Sequence, residues 1–171
     1  MAHWRDIGTR HRDELTGEHT LGDAGQLFFF LLFGVVWVVD TFFLRYTTSL
    51  NQYIPFIIRV APGAIFLFLS GYLAQTGLSI VFGKEQKNPG VIRKGVFNYV
   101  RHPIYLGEIL LYFGLLLLSI SLAAAFVWVL TIGFMHYISR HEKKLLLSRF
   151  GTDYKQYMRE VPMWIPLLKR K

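Results

Sequence analysis

The sequence contains no cysteine. That absence excludes a disulfide-stapled fold, thiolate nucleophiles, zinc–thiolate sites and iron–sulfur clusters. Charge is scarce as well: Asp, Glu, Lys and Arg make up 18% of the 171 residues, against about 25% in soluble domains. Acids are the rarer sign, 11 against 19 Lys+Arg, for a formal net charge of +8. What fills the chain instead is apolar, 53% hydrophobic with 16% aromatic. Such a composition excludes disorder and favours an integral membrane protein of one domain.

Four apolar runs approach the ~20 helical residues that a ~30 Å hydrocarbon core requires: 26–44, 54–82, 104–120 and 122–139. The expected fold is therefore an all-α integral membrane protein with about four transmembrane helices. The first run follows a polar arm, 1–25, and lacks the short cationic opening of a cleaved signal peptide, so it is expected to stay. Pro62 and Gly63 are candidates to kink the second. Only 119–121 separate the third and fourth runs, which predicts a tight antiparallel hairpin. Three Lys/Arg precede the first run, five lie in 83–102 and nine follow Ser139, leaving only Arg45 and Arg59. The positive-inside rule then puts both termini and the long loop in the cytoplasm. The basic balance is topological, and no nucleic-acid partner is expected. Gly71, Ala74 and Gly77, with Gly107 and Gly114, read as helix contact faces, because small residues let backbones approach in lipid.

A charge at mid-bilayer costs at least about 2.5 kcal/mol, so ionisable residues inside spans need partners or tasks. Asp40 and Arg59 lie at matching depths near the outer ends of the first two spans, which predicts a structural ion pair. Glu108, one turn into the third span, is a candidate substrate contact.

The segment from Asn88 to Pro166 carries the chemistry, centred on Arg101-His102-Pro103-Ile104-Tyr105-Leu106-Gly107. Proline is pre-organised for a first helical turn, so Pro103 starts the third span and sets His102 at its cap, beside unpaired backbone donors. Arg101 adds a permanent bidentate cation and Tyr105 an aromatic face with a hydroxyl. After the fourth run, Leu146, Phe150, Tyr154 and Tyr157 recur at helical spacing, predicting a cytoplasmic amphipathic helix that closes a pocket. The short hairpin turn brings Arg101 and His102 towards Arg140 and Glu142. Pro162 and Pro166 stop that helix, and Trp164 between them is placed to fold back.

The ordered set Arg101-His102-Pro103-Ile104-Tyr105-Leu106-Gly107, a hydrophobic hairpin, Glu142, Phe150-Gly151, Tyr154, Tyr157, Val161-Pro162 and Ile165-Pro166 resembles the isoprenylcysteine carboxyl methyltransferase and phospholipid methyltransferase superfamily. The resemblance covers roughly the C-terminal half. It implies an intramembrane enzyme that binds S-adenosylmethionine without a Rossmann domain, with 83–171 as the catalytic region after two leading spans in 26–82. It further implies that Gly90, Val91 and Ile92 lie beneath the cofactor with Phe97 against it. His102, Pro103, Ile104 and Tyr105 would hold the cofactor at the third helix, with Arg101 beside them. Glu142 would match the first of a Glu-Glu pair near the reacting centre. Lys143 stands in place of the second, and Ile138 where the isoprenylcysteine enzymes have an arginine, so the acceptor stays unassigned.

Mechanistically, Arg140 would orient an anionic group and Glu142 would position or deprotonate the nucleophile. The acceptor, hydrophobic or lipid-like, would enter from the bilayer. The small size fits a prokaryotic cytoplasmic-membrane enzyme. Three other readings stay open from the residues. One is a membrane NAD(P)H-dependent sterol or lipid reductase, which shares an Arg-His, Tyr and Gly core. The others are a haem carrier using His102 with His136 or His141, and a plain scaffold. No metal site is expected of His3, His11 and His19, which lack helical ligand spacing.

Overall fold

The computed structural model describes residues 20–83 and 90–165. His3, His11 and His19, the charged arm that holds them, Asn88 and Pro166 lie outside the described residues. Within them the chain is all-helical. Helix α1 spans Thr20–Val38 and widens into a π-helical stretch, Val39–Leu44; α2 is Phe56–Val81, α3 is Pro103–Ser119 and α4 is Leu122–Glu160. Short 3-10 turns, Ser49–Gln52 and Gly95–Asn98, sit in the two connections. By length and composition Gly22–Leu44, Phe56–Val81 and Leu122–Glu160 can each cross a bilayer, and Pro103–Ser119 is apolar but shorter. Their outward faces are greasy: Phe68 is 80% and Ile57 77% exposed, as lipid-facing side chains should be.

Several boundaries differ from expectation. Helix α1 opens at Thr20, ahead of the apolar run, because Asp23 sits favourably in its positive first turn. Helix α2 runs unbroken through Pro62. Helix α4 does not stop at residue 139 to begin a separate amphipathic helix. It continues to Glu160 and changes direction only at Gly151, whose φ of 51° and ψ of −118° suit glycine alone. Its segment ahead of that bend, 122–150, is about 44 Å long, so its C-terminal part projects beyond a ~30 Å core.

Backbone proximity holds α2 to α3. A Cβ on Gly107 would stand 3.2 Å from the Ser70 carbonyl oxygen and 3.3 Å from Ala74 N, and one on Gly114 3.1 Å from the Gly63 oxygen. Gly77 likewise leaves room for Ile104. Gly71, expected in this seam, faces open space; Gly63 and Ser70 take the position instead. Helix α1 packs on α4 at Gly25, where a Cβ would overlap the Phe134 ring, and on α3 where Phe33 stacks on Tyr112 at 4.0 Å. Trp37 Nε1 donates to Ser119 Oγ at 2.9 Å and Trp128 Nε1 to the Ile109 oxygen at 3.0 Å, satisfying both indoles inside the bundle.

Asp40 and Arg59 do not pair with each other. Asp40 accepts from Thr47 N at 3.1 Å, from Thr47 Oγ1 and from Ser121 Oγ at 2.5 Å. Ser121 also caps α4 by accepting from Ala124 N, so one carboxylate ties the end of α1 to the hairpin turn. Arg59 donates to Asn51 Oδ1 and, at 2.8 Å, to the Leu118 oxygen, one of the unpaired carbonyls at the C-terminus of α3. The 45–55 connection supplies Thr47 and Asn51, which meet both charges before they can meet each other.

The candidate functional site

At the opposite end of the bundle, α3 begins from His102, whose backbone is non-helical (φ −124°, ψ 66°), with Pro103 in the first turn. The preceding loop is stapled from the far end of α4. Arg93 bonds Glu160 at 3.0 Å and the Asp153 oxygen at 2.9 Å, and Tyr157 Oη donates to the Phe97 oxygen at 2.6 Å. The chain then doubles back, so that Arg101 N donates to the Pro162 oxygen at 3.0 Å and His102 N to that of Met163 at 3.4 Å. The apolar contacts of Tyr154, Tyr157 and Val161 with Val91, Leu146 and Phe150 complete this strap.

Between strap, loop and helix ends lies a cavity of about 340 Å³, within the usual range for small-molecule sites. Gly90, Val91, Ile92, Phe97, Arg101, His102, Pro103, Ile104, Tyr105 and Glu142 all line it. Asp23 and Gln26 from α1 close one side, and Leu78, Val81 and Phe82 from α2 another.

The polar centre is buried, His102 and Glu142 each being 8% exposed. His102 Nδ1 lies 3.2 Å from Glu142 Oε2, Tyr105 Oη donates to Glu142 Oε1, and the His102 and Tyr105 rings lie parallel with centroids 5.6 Å apart. Arg101 bonds the Tyr154 hydroxyl, yet its Nε and Nη1 are buried without a partner, as is His102 Nε2. Beyond the spanning part of α4, burial pushes the Tyr154 and Tyr157 hydroxyls above the ordinary phenol range, with Arg101 opposing that rise. Both therefore remain neutral hydrogen-bonding groups at physiological pH.

Two of the expected site residues are not brought in. Arg140 is exposed and does not line the cavity, because two residues along a helix put it about 200° round from Glu142. Glu108 is buried behind the wall, accepting from Tyr112 Oη at 2.5 Å and from the Gln26 amide. Trp164 folds back, but onto His136, with centroids 6.2 Å apart, and not over the cavity. Ile138 is buried against Gly22 of α1, an apolar contact that leaves no room there for an arginine. The histidines considered for haem take separate partners: Glu142 for His102, Trp164 for His136 and Tyr137 for His141.

Asp23, Gln26 and the α2 residues were not foreseen. The acid in the first turn of α1 is the signal that would have drawn the helix, and so the cavity wall, back into the polar arm.

The family model described as phospholipid methyltransferase matches residues 63–153, more than half of the chain. The protein-S-isoprenylcysteine O-methyltransferase of Schizosaccharomyces pombe is 31% identical over 73% of this chain and 56% of its own. The methanethiol S-methyltransferase of Crocosphaera subtropica is 28% identical over 86% of this chain and 50% of its own. The Saccharomyces cerevisiae protein-S-isoprenylcysteine O-methyltransferase is 34% identical over 52% and 38%. The chain thus spans about half the length of the first two curated relatives. No solved structure matches it. The match to the family model takes in α3, its capping histidine and Glu142 together, and the chain belongs to the phospholipid methyltransferase family.

Proposed function

We propose that the protein is an integral membrane methyltransferase that uses S-adenosylmethionine to methylate a hydrophobic acceptor reaching the cavity from the bilayer. The observation that carries this reading is the convergence of Gly90 to Ile92, Phe97, Arg101 to Tyr105 and Glu142 on one cavity with unpaired buried donors. The residues suit the cofactor's chemistry. Arg101 Nε and Nη1 would hold its carboxylate, and the acids Asp23 and Glu142 would favour its cationic groups. Phe97, Ile92 and Leu146 give the apolar wall an adenine needs.

When bound, the cofactor supplies a methyl group already activated by its sulfonium. The protein's part is alignment and exclusion of water. The strap over Arg101 and His102 covers the water side. Helices α1 and α2, which both contribute to the wall, share little packing among the described residues, which supports a lateral approach from lipid. The excess of Lys and Arg in 83–102 and after Ser139 supports a cytoplasmic orientation for this end of the bundle, on the side where the donor is dissolved.

The test is transfer of label from methyl-tritiated S-adenosylmethionine by the protein in lipid nanodiscs, offered a prenylated cysteine, a long-chain alkanethiol or phosphatidylethanolamine. Label in the organic phase with at least one acceptor, reduced about 100-fold or more by His102→Ala, is expected. Absence of label with every acceptor would contradict the reading.

A further inference from the structure

His102 and Glu142 carry more than a wall, on the reading that the cavity is a methyl-transfer site. The carboxylate is fixed from two sides, Oε1 by the Tyr105 hydroxyl and Oε2 by His102 Nδ1 at 3.2 Å. An ionised carboxylate only accepts, so the imidazole nitrogen facing it is the one that bears hydrogen. In the neutral imidazole the lone pair then falls on Nε2, which is buried and has no hydrogen-bond partner. Helix capping does not explain this arrangement, since the His102 side chain bonds no backbone N–H of α3. An imidazole held at one nitrogen by a carboxylate, with the other buried and unpartnered in a residue that lines the cavity, has the arrangement of a base held for a ligand.

We infer that His102 is the general base of methyl transfer, that Glu142 is its positioning residue, and that the acceptor is a thiol arriving with its proton. The acceptor sulfur gives its lone pair to the methyl carbon of S-adenosylmethionine, displacing neutral S-adenosylhomocysteine, which keeps the former carbon–sulfur bonding pair. The S–H proton passes to His102 Nε2, while Nδ1–H stays facing Glu142, and the imidazolium later returns its proton to water. A carboxylate acceptor brings no proton and has no use for this base. An amine arrives as a cation and a carboxylate as an anion, whereas a thiol crosses the apolar approach uncharged. Besides Glu142 from α4, the titratable groups around the imidazole are Arg101 beside it, Tyr105 parallel to it, Tyr154 through Arg101, and Asp23 across the cavity on α1.

Two measurements test this. In ligand-free, detergent-solubilised protein labelled with nitrogen-15 at histidine, the His102 signals, assigned by their loss in His102→Gln, should show the Nδ1–H tautomer just above neutral pH. An Nε2–H tautomer in the wild type would overturn the inference, whether or not the protein transfers methyl groups. The second is the pH profile of kcat/KM with an alkanethiol. Glu142→Gln should lower it about 100-fold near neutrality and regain it as pH approaches the thiol's own ionisation. A variant that binds S-adenosylhomocysteine normally yet shows no such recovery would sink the base assignment. Should Glu142→Gln fail to fold, the wild-type tautomer decides alone. Failure of the wild type to bind S-adenosylhomocysteine would remove the methyltransferase reading while leaving the tautomer readable.

Discussion

At the end of the bundle that carries Asp40, most hydrogen-bonding capacity of the buried polar side chains is used within the fold. At the end that carries His102, they surround a cavity with donor capacity left over. Asp40 takes three hydrogen bonds, Arg59 two and the Trp37 indole two, and among the described residues Arg59 Nε and Thr41 Oγ1 are left without partners there. Around His102, two nitrogens of Arg101 and one of the imidazole are unpaired beside a cavity. A buried donor without a partner costs about 1–3 kcal/mol, so a ligand that offers acceptors to Arg101 would offset that cost. Polar residues at membrane depth are expected to have partners or tasks; those around Asp40 close a turn, and those around His102 line a cavity.

The comparison can be broken most severely at His102. Its replacement by alanine should weaken S-adenosylhomocysteine binding by about 100-fold, about 2.7 kcal/mol, with the thermal transition little changed. Next comes the seam that holds α3 beneath the site. Gly107→Leu would drive a side chain against the Ser70 and Ala74 backbone and should cost about 2–3 kcal/mol, read as detergent-phase melting. Gly71→Ala, which meets nothing within 4 Å, should stay within about 0.5 kcal/mol of wild type.

At the Asp40 end, Asp40→Ala should cost about 1–3 kcal/mol of stability by stranding Thr47 and Ser121, and leave ligand affinity unchanged. Exchanging the charges of Asp40 and Arg59 in a double variant should bring no rescue. A recovery of stability would show that they do interact. The smallest effect is expected at Arg93→Gln. Its partner Glu160 is 47% exposed, so the pair is worth about 0–1 kcal/mol, and the change should surface as slightly faster ligand release from under the strap.

Much of the cavity was legible in the sequence because its residues are local: 90–105 run continuously into Pro103, whose ring fixes where α3 starts. Glu142 required the hairpin, which the brief polar break at 119–121 announces. What failed was inference from depth or from nearness in sequence. Asp40 and Arg59 match in depth, yet the connection between α1 and α2 brings Thr47 and Asn51 closer. Arg140 is two residues from Glu142, but helical geometry sends it to the other face. Asp23 and Gln26 were hidden because hydropathy marks where a helix enters lipid and not where it starts. The bend at Gly151 has no hydropathy signature at all; it is a backbone conformation open to glycine.

The central claim is that the cavity between α3, α4 and the strap binds S-adenosylmethionine. Calorimetric titration of the detergent-purified protein with S-adenosylhomocysteine tests it most directly, with NADPH as comparison ligand and His102→Ala as control. Saturable binding of S-adenosylhomocysteine, lost in the variant, and no binding of NADPH are expected. Saturable NADPH binding, or binding of neither ligand by a folded protein, would contradict it.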